Sequence, residues 1–235
     1  MNRSKIEINY DNCIDSVYSC CDSRFVYREN LRMQLRNILI KKALLMRRFL
    51  RILKRGSRGK SYRKNKNVKL SDLRYVQVLH YGFDGKVKEG ELIVNKKIAK
   101  KTVKVFYALY QKRYRIERMR LIDDYGANDE KSMAANNTSA FNYRVISGTT
   151  KLSNHSYGMA IDINPRINPW VKGNKVSPAN GKVYKQRKTS KCKGKYKRYM
   201  IHKNDTAYKI FKKYGFSWGG EWRSSKDYQH FEVNK

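Results

Sequence analysis

Two stretches of the chain bring a histidine close to an aspartate, and such pairs are common in metal sites. His155 precedes Asp162 by seven positions, and Gly158 between them lets the chain turn. His230 follows Asp227 by three positions near the C-terminus. Two neutral imidazoles and one carboxylate make a three-ligand zinc site, which leaves a fourth position for water. From spacing alone, ordinary surface histidines and a buried aspartate are an equal alternative, because histidines near acids are common.

Hydrolysis of a peptide bond at such a site requires two further groups. Zinc lowers the pKa of its water to about 7, and a separate carboxylate must carry the proton to the leaving amine. Asp227 is the predicted base, with Glu221 and Glu232 as rivals. Because side chains alternate along a strand, Asp227 and His230 would face opposite sides of it, so we predict that Asp227 lies on a preceding turn. Arg144 is the predicted cation for developing negative charge, since its guanidinium is a permanent bidentate donor.

The elements that must position these groups follow from the apolar pattern. Alternation over 158–164 predicts a strand with Asp162 on its polar face and with Met159, Ile161 and Ile163 facing the core. The remaining pattern predicts a cap or turn at 71–72, a turn at 83–85, strands over 91–95, 119–123 and 228–233, an extended segment over 139–146, and helices over 98–114 and 206–214.

The chain is strongly basic, with a formal net charge of +35. Such a surface attracts polyanions, among them nucleic acid, anionic lipid and anionic cell-wall polymers, although charge also serves solubility alone. The segment 168–202 is lysine-rich and contains no acidic residue, and we predict that it forms part of the pocket wall. Specific nucleic-acid binding is not expected, because the basic segments lack interleaved aromatic stacking platforms. The four cysteines form no CxxC pair, which argues against a cysteine zinc knuckle.

Residues 1–69 are predicted to be a basic N-terminal extension of a domain that spans 70–235. Within this extension, apolar residues over 31–54 recur at helical spacing between lysines and arginines. A basic amphipathic helix of this kind lies on an anionic membrane surface or packs on the domain. The segment 56–67 has the composition of a linker. No apolar run is long and unbroken enough for a signal peptide or a membrane span.

Three motifs in this chain resemble those of the M15 peptidases. The first, SNHSYGMAID at 153–162 followed by Asn164 and Pro165, resembles the family's zinc-binding signature. The second, WGGEW at 218–222 followed by DYQHFE at 227–232, resembles the closing motif of its carboxypeptidase-like and endopeptidase-like branch. The third, NNTSAFNYR at 136–144, resembles the arginine-bearing segment of that branch. The family includes D-alanyl-D-alanine carboxypeptidases and dipeptidases and L-alanyl-D-glutamate endopeptidases.

The resemblance implies roles for particular residues, carried over by position. They are one Zn²⁺ ion held by His155, Asp162 and His230, with Asp227 as general base where many members have glutamate, and Arg144 as the substrate or transition-state arginine. Ser153 and Tyr157 would lie beside the site, and Glu221 and Trp218 are further candidates for an alternative base or for substrate contact.

The resemblance also implies a fold and an activity. The fold is α/β (α+β), with a small, mostly antiparallel sheet and flanking helices, as in D-Ala-D-Ala peptidases and the hedgehog signalling domain. The activity is zinc-dependent hydrolysis of peptidoglycan peptides by a monomer at the cell envelope or outside the cell. The export route is open and includes release as a phage-type lysin. The alternative is a zinc-containing module that binds cell-wall peptides without turnover.

Overall fold

The computed structural model of the protein describes residues 61–234. The predicted helix over 31–54 and the first part of the predicted linker lie outside these residues. The strands are β1 Leu73–Tyr81, β2 Val87–Asn95, β3 Arg118–Met119, β4 Asn137–Thr138, β5 Ala160–Asp162, β6 Trp170–Lys172, β7 Lys175–Ser177, β8 Ser217–Trp218, β9 Lys226–Asp227 and β10 His230–Glu232. The α-helices are α1 Lys96–Gln111, α2 Asp129–Ala134 and α3 Thr206–Lys213. Between residues 61 and 234, no helix combines the length and the apolar character that crossing a membrane requires.

The strands form several small sheets, and most of their pairs are antiparallel. β1 and β2 form a nine-residue hairpin, and β5, β10 and β8 form a three-stranded sheet with β10 in the centre. A second three-stranded sheet has the order β7-β6-β9, while β3 and β4 pair in parallel. The prediction of an α+β class with mostly antiparallel pairing is confirmed, and the likeness to the hedgehog domain stays a prediction. The predicted single sheet is divided because most strands are only two or three residues long.

The main core lies between the two longer helices and the strands. α1 packs on the β1–β2 hairpin through a buried apolar face. On α3, the ring of Phe211 stacks on Phe231 of β10, with ring centroids 4.0 Å apart, and meets Phe106 of α1 edge-on. All three rings are fully buried. Because burying one such side chain contributes about 1.5–3 kcal/mol, this contact fixes β10 against the helices.

Both predicted helices are confirmed, with shifted ends. α1 begins two residues before the predicted start because the Asn95 side chain caps it and accepts a hydrogen bond from the Lys97 amide. It ends at Gln111, just before Arg113 adopts a φ of +50°. α3 is capped in the same way by Asp205, which accepts from the Tyr208 amide.

The strand predictions are less accurate. The predicted strand over 91–95 is the second half of β2. The strand β1 was not predicted, and only the cap or turn at 71–72 that precedes it was. The turn at 83–85 is confirmed, with Gly85 at a φ of +82°. The predicted strand over 119–123 is wrong after Met119, because Ile122–Tyr125 form a 3₁₀ turn.

The lysine-rich segment after Ile167 has a small core of its own. Ile167, Tyr184, Cys192 and Met200 are buried together beneath an otherwise polar surface.

The described part of the predicted linker also packs on the domain. The Ser61 amide donates to Asp123 over 3.0 Å.

Candidate metal centre

The sheet β5-β10-β8 sets two of the three predicted ligands side by side. His230 on β10 is directly opposite Asp162 on β5, so their side chains lie on the same face of the sheet. On the other face, the opposed residues Ile161 and Phe231 are fully buried in the core. The alternation predicted for 158–164 is therefore confirmed where it positions Asp162.

The third predicted ligand comes from the turn that precedes β5. His155 lies in a 3₁₀ turn, Asn154–Tyr157, which Ser153 caps by accepting a hydrogen bond from the His155 amide. Gly158 ends this turn at a φ of +66°, and a Cβ there would lie only 2.6 Å from the Asn95 amide nitrogen. Because a side chain would fit neither this conformation nor this space, Gly158 permits the change of direction that the sequence predicted.

The three side chains converge on one buried point. His155 Nε2 lies 3.1 Å from Asp162 Oδ2 and 3.1 Å from His230 Nδ1. His230 Nδ1 lies 3.1 Å from Asp162 Oδ1. All three residues are buried, and together they are a group whose ligand atoms could hold one metal ion.

The remaining ring nitrogen of each histidine has its own acceptor. His155 Nδ1 lies 2.5 Å from the carbonyl oxygen of Ala140, and His230 Nε2 lies 3.0 Å from Glu232 Oε2. These partners assign the N–H to the outer nitrogen of each ring and leave a lone pair on the nitrogen that faces the centre. Glu232 is itself fixed by the Asn154 side-chain amide, which donates to Oε2 over 2.5 Å.

This arrangement fits zinc by two criteria. Ligands about 2.0–2.1 Å from zinc at tetrahedral angles are about 3.3–3.4 Å apart, close to the observed separations. In addition, two lone pairs and a carboxylate that face one another repel unless a cation lies between them. The pKa values show the same preference for positive charge at this point. Burial disfavours a charged His230, yet its hydrogen bonds to Asp162 and Glu232 raise its pKa to about 10. The pKa of the Asp162 carboxyl is lowered against the effect of burial, through His155 and His230.

Asp227 lies beside this centre, in a different position from the one predicted. It belongs to β9, and the chain turns after it, at 228–229, rather than before it. This turn breaks the alternation that would have pointed Asp227 and His230 apart. A Cβ built on Gly219 would lie 2.8 Å from the Cβ of Asp227 and 3.2 Å from that of His230, so the two residues flank one point.

Burial gives the Asp227 carboxyl the character of a base. Burial raises its pKa, His230 opposes the rise and Asp162 adds to it, and the resulting pKa is about 6. The Gln229 side-chain amide donates to Oδ1 over 3.1 Å and holds the carboxyl in place. A carboxylate with a pKa closer to neutrality accepts a proton more readily than an ordinary aspartate.

Arg144 approaches the centre and is held by a residue that the sequence analysis missed. Its Nε pairs with the Asp129 carboxylate, at the start of α2. The other oxygen of Asp129 accepts from the Asn142 side chain over 2.7 Å. Burial lowers the pKa of Arg144, while Asp162 and Asp227 raise it, so the guanidinium lies in the field of both site carboxylates. The sequence did not predict this pairing, because Asp129 lies fifteen residues before Arg144 and no motif links the two positions.

The other candidate residues lie around the centre rather than in it. Ser153 is the cap of the His155 turn, and the carbonyl oxygen of Tyr157 accepts from the Asn95 side chain. Trp218 is buried, and its indole N–H donates to the Tyr228 carbonyl oxygen, so its role is packing rather than substrate contact. Of the rival bases, Glu232 orients His230.

Glu221 is directed away from the centre. Its carboxylate accepts from the Tyr208 hydroxyl over 2.7 Å and pairs with Lys212, both on α3. These hydrogen bonds, the one from Tyr208 above all, lower its pKa. A carboxylate so occupied is a poor proton acceptor, which favours Asp227 over Glu221.

Glu232→Gln is expected to weaken zinc binding by about 10–100-fold, because the residue that orients a ligating histidine sets its basicity. A competition titration of zinc against a chromophoric chelator measures this. Asp84→Asn, which removes an exposed carboxylate from the turn after β1, is the matched control and should bind zinc like the wild type. Equal affinities for Glu232→Gln and the control would show that Glu232 does not support the site.

A comparison with protein-family models matches residues 147–233 to an M15 peptidase family described as D-alanyl-D-alanine carboxypeptidase. The matched segment contains His155, Asp162, Asp227 and His230, while Arg144 lies just before it. Comparisons with curated proteins and with solved structures gave no match. The M15 resemblance of the zinc-binding and closing motifs is thereby confirmed.

Proposed function

We propose that this chain, whose residues 147–233 match an M15 peptidase family, is a zinc-dependent hydrolase of peptide bonds in bacterial peptidoglycan. The observation that carries the proposal is the buried triangle of His155, Asp162 and His230, with Asp227 beside it. The family description supports a carboxypeptidase-like activity on stem peptides, and an endopeptidase-like activity on stem or cross-bridge peptides is the other form of the proposal. The protein would act as a monomer at the cell envelope or outside the cell.

The three ligands would hold zinc through His155 Nε2, His230 Nδ1 and the Asp162 carboxylate, which are the atoms that face one another. When bound, zinc supplies Lewis acidity and lowers the pKa of a water to about 7. The chain's own contribution is to orient both imidazoles, because the Ala140 carbonyl oxygen and Glu232 accept from their outer nitrogens. Burial of the ligands excludes bulk water and strengthens each electrostatic contact in the site.

Asp227 would handle the proton. It takes a proton from the attacking water and gives it to the nitrogen of the leaving group, so that the amine departs neutral. Burial raises the pKa of this carboxyl, which favours the protonated form that donates to the leaving amine. Arg144 would stabilise negative charge on the substrate, either the oxygen of the attacked carbonyl or a terminal carboxylate, through guanidinium hydrogen bonds.

Asp129→Asn is expected to lower kcat/KM by roughly 10–100-fold, because Arg144 loses the charged partner that fixes its guanidinium and small misplacements are costly in catalysis. Steady-state kinetics on soluble peptidoglycan fragments measure the effect, and zinc content should not change. Asp124→Asn is the matched control, since Asp124 forms an exposed pair with Arg120 on the surface. Equal kinetics for both variants would contradict a positioning role for Asp129.

The decisive experiment is mass spectrometry of purified peptidoglycan digested with the zinc-loaded protein, with the chelated protein, and with the chelated protein after zinc is restored. We expect new fragments in the first and third digests. A carboxypeptidase releases single terminal residues, whereas an endopeptidase creates new amino termini within the peptides. If zinc-loaded protein yields no fragments yet binds the wall, the protein is a binding module and the enzymatic proposal is wrong.

A further inference from the structure

The segment 168–203 contains ten lysines and two arginines and no aspartate or glutamate. Ten of these twelve cationic residues are exposed. Across residues 61–234, none of them forms an ion pair with a carboxylate. We name the exposed side of this segment the basic face. A surface with this much uncompensated charge attracts a polyanion by Coulomb forces that salt weakens.

The basic face is joined to the candidate metal centre through the backbone. β6, near the start of the segment, pairs with β9, and Trp170 lies directly opposite Asp227. The basic face therefore begins one strand away from the proposed base. A polymer bound along it would lie next to the candidate metal centre rather than at a remote surface.

Arg187 adds side-chain contacts to this connection. It is half-buried and donates hydrogen bonds to the side chain of Asn168 over 3.1 Å and to the Ile201 carbonyl oxygen over 2.8 Å. Its guanidinium carbon also lies 4.2 Å from the ring centroid of Tyr228, in the turn between Asp227 and His230. One side chain thus joins the basic segment to the turn that carries the proposed base and a proposed ligand.

We propose that the basic face binds the phosphodiester backbone of an anionic polymer attached to the peptidoglycan, and thereby holds wall peptides at the metal centre. The inference rests on the proposed function, because it names the form of peptidoglycan that the enzyme prefers. Lysine ammonium groups are flexible point charges, which suit phosphates that are spaced along a polymer without fixed geometry. The chemistry that this surface recognises is therefore repeated phosphate charge.

The structure favours such a polymer over nucleic acid or a lipid surface. Three aromatic residues near the basic face, Phe83, Tyr196 and Tyr199, pack on one another: Phe83 stacks on Tyr199 with ring centroids 4.5 Å apart, and Arg198 lies 4.8 Å from the Tyr199 ring. Rings engaged in this way offer few free faces for bases to stack on. Within the described residues of the segment, Val183 is the only large hydrophobic side chain that is exposed, so little apolar surface is present to enter a lipid interface.

The test removes four exposed lysines from the basic face, Lys182, Lys188, Lys191 and Lys193, by substitution with glutamine. The full chain is used with Asp227→Asn added, so that digestion does not alter the wall during the measurement. Co-sedimentation at physiological salt compares bacterial walls that carry their phosphate polymer with the same walls stripped of it by hydrofluoric acid. A single-stranded oligonucleotide and phosphatidylglycerol vesicles are the competing probes.

The matched control substitutes glutamine for Lys97, Lys100, Lys101 and Lys104, which are exposed on α1. It removes the same charge from another surface and keeps the rest of the chain, including its other basic residues. A difference between the two variants therefore reports the location of the charge rather than its total.

We expect the basic-face variant to bind polymer-bearing walls at least roughly 30-fold more weakly, since one lysine near an anionic surface contributes up to about fivefold. The control should lose less than about threefold, a bound that allows for long-range charge alone. Equal losses in both variants, or equal binding of the unmodified chain to native and stripped walls, would overturn the proposal. So would tighter binding to the oligonucleotide or the vesicles than to the native walls.

Failure of this inference is distinguishable from failure of the proposed function. The basic-face substitutions, made in the chain with Asp227 intact, should leave hydrolysis of soluble fragments that lack the polymer within about twofold of the wild-type rate, because such fragments have no chain of phosphates to contact. If the wild type cleaves neither fragments nor walls, the enzymatic proposal fails while the binding result stands. If it cleaves both, and binds and cleaves stripped walls as well as native ones, only the docking proposal fails.

Discussion

Asp227→Asn is expected to lower kcat by roughly 10²–10⁴-fold, the range over which a positioned general base contributes, and to leave one zinc ion per chain. The amide has nearly the shape of the carboxylate but cannot accept the proton of the attacking water. Its hydrogen bond with Gln229 and its place opposite Trp170 are compatible with an amide, so the fold and the metal centre should persist. Steady-state kinetics on peptidoglycan fragments and metal analysis of the same sample measure both effects.

Glu221→Gln is the control for this variant, because Glu221 was the principal rival for the same role. Its carboxylate is engaged by Tyr208 and Lys212 on α3, so its neutralisation should change kcat by less than about twofold, the size of a surface effect. The opposite result, with Glu221→Gln inactive and Asp227→Asn active, would assign the proton transfer to Glu221 and require a different orientation of the closing motif.

The arrangement of the candidate ligands could be predicted in part from sequence, because the chain encodes much of it locally. Gly158 between His155 and Asp162 permits a turn followed by a strand, and alternation decides which face of β5 carries the carboxylate. Only the approach of His230 depends on long-range pairing. There the apolar residue Phe231 belongs to the opposite face, so the burial of that face leaves a single register for β10.

The groups that support the ligands could not be predicted, because their contacts join distant parts of the chain. The acceptor for His155 is a backbone carbonyl, that of Ala140, and a carbonyl group is present at every position. Asp129 reaches Arg144 only because α2 begins where it does. The position of Asp227 was wrong for a related reason. Its strand, β9, pairs with β6. That strand belongs to the lysine-rich segment, in which composition predicted no strand.

That insertion shows where composition misleads. No helix or strand was predicted within it, whereas its few apolar residues form a separate small core and its half-buried Arg187 lies against the ring of Tyr228. Both terminal nitrogens of this half-buried arginine donate to carbonyl and amide oxygens, which offsets part of the cost of burying its charge, while its Nε has no hydrogen-bond partner among the described residues. No residue spacing predicts such a partner set.

His155→Ala is expected to reduce bound zinc from one ion per chain to less than roughly a tenth of that, and to reduce activity by at least about 10³-fold. A catalytic zinc site needs three protein ligands, and the two that remain, His230 and Asp162, can still pair with each other as an ordinary ion pair. Metal analysis after dialysis against zinc-free buffer measures the first effect, and fragment hydrolysis measures the second.

Thermal unfolding separates loss of the metal from loss of the fold. Zinc at a free concentration a thousand times its dissociation constant stabilises the folded state by about 4 kcal/mol. A chelator should therefore lower the Tm of the wild type clearly. It should leave the Tm of His155→Ala unchanged, because that variant has no ion to lose. His202→Ala is the control, since His202 lies in the insertion away from the triangle of ligands, and it should keep both zinc and the response to chelator. A His155→Ala protein that retains stoichiometric zinc would contradict the ligand set, and with it the reason that two neutral imidazoles and a carboxylate are buried face to face.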